Sequence, residues 1–122
     1  ILNVVLGGTL YQDLKTQTGT EIPHSMDKPY DRTVHEVNIL PDTPLAALYG
    51  PGPLAVNSRH HQGIKGLAPA LRAQAVASDG LVEAVYLPEY RFVQAVQWHP
   101  EHRWKAEESQ SLLRSFADAC RG

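Results

Sequence analysis

The chain has 122 residues, 43% hydrophobic and 20% charged, with a formal net charge of -2. That composition fits one globular domain with one modest core and argues against two. Near-neutral charge gives no electrostatic reason to expect nucleic acid or an anionic membrane as partner, since both favour clustered Lys and Arg. A small, roughly neutral ligand fits better.

No apolar run approaches the roughly 20 residues that span a bilayer, and the first residues lack the parts of a signal peptide, so a cytoplasmic location is expected. Ile1-Leu2-Asn3-Val4-Val5-Leu6 is apolar almost all round and stops at Gly7-Gly8. It reads as the last turns of a buried helix whose start belongs to a preceding segment. Thr9 to Leu14 is mixed, and Lys15 to Thr33, with Gly19, Pro23 and Pro29, reads as a long loop.

His35 to Leu40 alternates polar and apolar residues, which predicts a half-buried strand ended by Pro41-Asp42. Thr43 is placed to cap a short helix, Pro44 to Leu48. Leu54 to Asn57 suits a buried strand, with the polar group Ser58-Arg59-His60-His61-Gln62 at its end. Gln74 to Ser78 and Leu81 to Leu87 are strands joined by Asp79-Gly80, a hairpin signal. Phe92 to Gln97 is a further strand. Lys105 to Ala119 carries Leu112, Leu113, Phe116 and Ala117 at amphipathic-helix spacing. Strands mixed with helices point to a sheet covered by helices.

The densest chemical signal is Gln97-Trp98-His99-Pro100-Glu101. Pro100 disfavours helix at His99, so an extended chain is expected to hold His99 and Glu101 on one side. A carboxylate accepting from one ring nitrogen fixes the tautomer and leaves the other to move a proton. The blander reading is a surface pair at a strand end. Zinc at His99-Pro100-Glu101-His102 is disfavoured on the same ground, because histidines three apart meet only in a helix. His24 and His35 read as loop and strand-edge residues, Asp79-Gly80 as turn chemistry and Trp98 as packing.

The segment Val96 to Glu101 is similar to the histidine–glutamate motif of class I glutamine amidotransferases. Asn3 to Asp13 resembles the stretch after their cysteine elbow, and Asn57 to Gln62 with Ala77 to Ala84 completes a match in order along nearly the whole chain. Together these segments look most like the γ-glutamyl-γ-aminobutyrate hydrolase branch.

The resemblance implies a flavodoxin-like α/β domain with a largely parallel central sheet, flanking helices and an antiparallel hairpin, of which residues 1–122 are the C-terminal portion. It also implies a Cys-His-Glu triad with His99 and Glu101 as partners of a cysteine upstream of Ile1. The substrate is then a small γ-glutamyl amide, contacted by Ser58, His60 or His61, of which opposed neighbours let at most one histidine reach the pocket. No metal and no organic cofactor is required. Cys120 matches no part of the motif. A glutaminase supplying ammonia to a synthase and a non-catalytic homologue are the alternatives, and a homodimer stays open. By itself the chain is expected neither to turn over substrate nor to fold well.

Overall fold

The computed structural model describes all 122 residues. In chain order it comprises α1 (Leu2–Val5), β1 (Thr9–Tyr11), α2 (Leu14–Thr18), β2 (His35–Ile39), α3 (Pro44–Tyr49), β3 (Gly52–Val56), β4 (Gly63–Gly66), β5 (Arg72–Ala77), β6 (Val82–Tyr86), β7 (Gln94–Val96), a 3₁₀ turn (Pro100–Arg103) and α4 (Glu107–Cys120). The class is mixed α/β, as expected.

Five strands form one sheet in the order β3-β2-β5-β6-β7, and β1 pairs with β4 in a separate ribbon. Every one of these pairings is antiparallel. The largely parallel sheet expected of the complete domain is thus not formed within these residues. The connections explain why: a parallel pair needs a crossover of a dozen or more residues, whereas the Asp79-Gly80 turn can only fold β6 back along β5. Gly80 takes φ +86°, the conformation such a turn demands.

The β2, β3, β5 and β6 faces meet in one core of Val37, Ile39, Val56, Ala75, Ala77 and Ala84, closed by Leu45 and Trp98. Val85, next to Ala84 and on the opposite face, packs with Ala68, Leu71 and Leu87 in a second cluster. Thr43 caps α3, its hydroxyl accepting from Ala46 N at 3.2 Å, and Pro44 occupies the first helical position. Burial at Leu45 leaves its backbone N–H without water, and Gln74 supplies the partner: Oε1 accepts from Leu45 N at 2.9 Å while Nε2 donates to Val85 O at 3.0 Å. Gln74→Leu keeps the volume and orphans both groups, so a loss of about 2–4 kcal/mol is expected in urea unfolding of the full-length protein; an unchanged midpoint would show the polar bridge to be dispensable.

Four expectations change. The long loop begins with α2: Asp13 Oδ2 accepts from Thr16 N at 2.9 Å and Gly19 ends the helix at φ +66°, cap chemistry hidden by the polar composition. The pair β1–β4 was not expected at all. The chain does not run extended past His99 but turns into the 3₁₀ helix, with Pro100 at its first position. Finally, α1 and α4 form, yet part of their apolar surface is open: Val5 is 73% exposed, Leu113 50% and Phe116 56%, while Leu2 and Leu112 pack against the two cores. Asn3 is the buried residue of α1, donating to Thr9 O and Gly66 O and accepting from Ala68 N. No helix is long and apolar enough to cross a membrane.

Candidate active site

Where β7 ends, His99 Nδ1 lies 2.6 Å from Glu101 Oε1. The carboxylate can only accept, so Nδ1 carries the proton and Nε2 keeps its lone pair. Partial burial, the largest single effect, pushes the Glu101 carboxyl up, but the hydrogen bonds from His99 and from the backbone, with the charges of His99 and His102, together hold it below the usual glutamate range. Turning, rather than extension, creates this contact. The same turn brings His102 beside His99, ring centroids 5.6 Å apart, and the ligand atoms of His99, Glu101 and His102 lie within 4.8 Å of one another. Histidines three apart thus meet here because the chain turns after His99 instead of running extended.

Asn57, at the end of β3 and 1% exposed, fixes the backbone under His99. Its Oδ1 accepts from His99 N at 2.9 Å, and its Nδ2 donates to His99 O at 2.9 Å and to Tyr30 O at 2.8 Å. One buried amide thus ties the His99 strand end to the long loop. Arg103 adds an outer brace, its guanidinium 2.9 Å from Glu108 Oε1 and 2.6 Å from Asp31 O.

Ser58, His60 and His61, beyond Asn57, do different things. Ser58 is buried; its hydroxyl donates to His24 O at 2.7 Å and its carbonyl accepts from Met26 N at 3.0 Å. His60 turns inward, Nδ1 donating to Gln62 O at 2.7 Å. His61 is exposed, and its carbonyl accepts from Leu14 N at 2.7 Å, seating α2 against this segment. His60 and His61 border a cleft of about 770 Å³ with Asp13, Lys15, Thr20 and His24. His99 and Glu101 do not line that cleft, so within this chain the expected site residues fall into two groups joined through Asn57 and Ser58.

Sequence reasoning missed what lies beneath the cleft. His24, far from being a loose loop residue, is 4% exposed, and its Nε2 lies 2.7 Å from Asp79 Oδ2. Thr20 Oγ1 donates to the same oxygen at 2.7 Å. The His24 Nδ1 faces Glu83 Oε1 at 3.1 Å, and Glu83 is 2% exposed on β6. Burial opposes charge on both, but the carboxylates raise His24 above the ordinary histidine value, and the facing imidazoles of His24 and His60 hold Glu83 below the usual range. A buried Glu on a strand was the one available sequence signal, since glutamate is almost never fully buried unless paired. Trp98, 8% exposed, packs in the core as expected. Cys120 is an exposed free thiol at the end of α4.

Comparison with known proteins places this geometry. The chain is 48% identical over 118 residues to protein NtpR of Enterococcus hirae, covering 95% of this chain and 49% of that protein. It is 47% identical over 68 residues to the γ-glutamyl-γ-aminobutyrate hydrolase PuuD of Escherichia coli, covering 53% of this chain and 26% of that enzyme. A glutamine amidotransferase crystal structure from Thermotoga maritima superposes with a TM-score of 0.56 at 14% identity, over 98% of this chain and 44% of that one, a likeness of fold. The chain spans about half the length of the first of these relatives. The peptidase C26 family model matches residues 1–101, from Ile1 through the His99–Glu101 pair, and the chain belongs to that class I glutamine amidotransferase-like family.

Proposed function

We propose that the chain is the C-terminal part of a domain that hydrolyses γ-glutamyl amides, with His99 as proton carrier and Glu101 as its orienting carboxylate. The observation that carries the reading is the 2.6 Å contact of His99 Nδ1 with Glu101 Oε1, on a backbone clamped by Asn57, in a member of this family. The nucleophile is a cysteine N-terminal to Ile1. His99 Nε2 takes the thiol proton, the resulting thiolate attacks the γ-carbonyl carbon while backbone N–H groups support the tetrahedral oxyanion, and the C–N bond breaks as Nε2 passes that proton to the departing amine. Water then adds to the thioester with His99 taking its proton, the C–S bond breaks to release glutamate, and His99 returns the proton to the cysteine sulfur. Of Ser58, His60 and His61, His61 is the side chain open to the substrate, while Ser58 and His60 hold the loop that shapes the cleft. γ-Aminobutyrate as the departing amine rests on the partial match to the E. coli enzyme.

The test uses the full-length natural protein. Iodoacetamide labelling followed by peptide mapping should place the label on a cysteine upstream of Ile1, and labelling should abolish glutamate release from γ-glutamyl-γ-aminobutyrate. Label on Cys120 alone with activity lost, or an unlabelled upstream segment, overturns the triad.

A further inference from the structure

Three histidines and one glutamate converge beneath the cleft from four separate segments: His24 from the long loop, His35 from the start of β2, His60 from beyond β3 and Glu83 from β6. The rings of His35 and His60 each lie 5.1 Å from that of His24. Each histidine has one nitrogen engaged with an oxygen that can only accept: His24 Nε2 with Asp79 Oδ2 at 2.7 Å, His35 Nδ1 with Glu36 O at 3.2 Å and His60 Nδ1 with Gln62 O at 2.7 Å. Those nitrogens must therefore be the protonated ones, and the tautomer of each neutral ring follows.

The consequence is a centre made of acceptors only. His24 Nδ1, His35 Nε2, His60 Nε2 and both carboxylate oxygens of Glu83 are buried and have no hydrogen-bond partner. The Glu83 side chain is wholly buried, and those of His24 and His60 are 3% and 7% exposed. Buried polar atoms without partners are rare and costly, and five in one place need a common explanation. Extra protons answer them poorly. One on His24 Nδ1 meets Glu83 Oε1 but leaves the other two nitrogens unanswered, and a second sets two cationic rings 5.1 Å apart.

We propose that His24, His35, His60 and Glu83 bind one divalent transition-metal ion of the zinc class. Three imidazoles and a carboxylate are the donor set that zinc and its late first-row neighbours take. The spacing suits them: Glu83 Oε1 lies 3.1 Å from His24 Nδ1 and 3.6 Å from His60 Nε2, against the edge of about 3.3 Å that metal–ligand bonds of about 2.0–2.1 Å set in a tetrahedron. The ligand atoms of His24, His35 and Glu83 lie within 4.8 Å of one another; His60, outside that group but 3.6 Å from Glu83 Oε1, closes in as the fourth ligand when the ion binds. Asp79 stands where a carboxylate behind a metal-bound histidine stands, orienting its ring and raising its basicity. The ion would bind the long loop to β2, β3 and β6 and so rigidify the floor of the cleft. This site is independent of the hydrolase reading and is not the His99–Glu101–His102 cluster.

The experiment is metal stoichiometry on full-length protein, stripped with a chelator and titrated with Zn²⁺ against a chromophoric competitor, and separately with Co²⁺. One equivalent bound, with the intense visible absorption of four-coordinate Co²⁺, is expected. Asp79→Asn should weaken Zn²⁺ by about 10–100-fold, and Glu83→Gln and His35→Ala by more, while His102→Ala leaves the affinity unchanged. Circular dichroism and the unfolding midpoint report whether each variant folds; if Glu83→Gln does not, His35→Ala, at the edge of the cluster, carries the comparison. Absence of a bound equivalent, or an ion lost with His102→Ala but kept with His35→Ala, overturns the proposal and leaves a buried histidine–carboxylate network in its place.

Discussion

His99→Ala, made in the full-length protein, is expected to lower glutamate release from a γ-glutamyl amide by about 10²–10⁴-fold, the range a positioned proton carrier contributes. Stability should change by no more than about 0.5 kcal/mol, because the ring is 32% exposed and the clamp from Asn57 engages only the backbone. Glu101→Gln separates orientation from charge. Its amide oxygen can still accept from Nδ1–H, so the tautomer survives while support for the imidazolium is lost, and a smaller fall in rate follows. The pH profile carries the sign. A carboxyl held below its usual range contributes in full above the ordinary glutamate value, and that contribution disappears as pH falls through the lowered one. Wild-type protein should therefore keep the Glu101 contribution to a pH below the ordinary glutamate range, and the acid limb due to this residue should be missing in Glu101→Gln. Activity of His99→Ala within a few fold of wild type would remove His99 from the chemistry.

Local signals were legible wherever one short stretch decides the outcome. Asp79-Gly80 specified the β5–β6 turn, and Thr43-Pro44 specified the start of α3, because turn and cap chemistry act over a few residues. Asp13 and Gly19 offered the same kind of signal for α2, but the surrounding Lys, Gln and Thr masked it. The ribbon β1–β4 could not be read locally: Tyr11 pairs with Gly63, and only tertiary folding joins them. At His99 proline acts in two ways, of which the sequence reading weighs only the first. The residue before Pro100 does stay outside the helical region, at φ -116° and ψ 81°, yet proline is equally suited to open a helical turn, and that turn sets the His99–Glu101 contact. The buried cluster was the least legible part, since His24, His35, His60 and Glu83 are scattered through the sequence and become neighbours only once β2, β3 and β6 share a sheet with the long loop folded beneath them.

Asn57→Asp is expected to damage stability and activity together, which distinguishes it from His99→Ala. The native amide is used in both directions: Oδ1 accepts from His99 N, and Nδ2 donates to the carbonyls of His99 and Tyr30. A carboxylate keeps the first bond and turns the other two into acceptor facing acceptor, inside a site only 1% exposed. The Tyr30 carbonyl is orphaned, at about 1–3 kcal/mol, while that of His99 keeps the N–H of His102 but faces a carboxylate, so a loss of about 2–4 kcal/mol is expected in urea unfolding. Two opposing carbonyls also favour the protonated form of the introduced carboxyl, which can donate one bond. The deficit relative to wild type should consequently shrink as pH falls through that group's raised value and grow again above it. Glutamate release should fall even under conditions where the variant is folded, because the strand end that aims His99 at the substrate has lost its tie to the loop. A stable Asn57→Asp protein with wild-type turnover would mean that the backbone of Pro100 to Arg103 holds His99 in place without the amide, and would move the origin of the orientation to the Arg103–Glu108 brace.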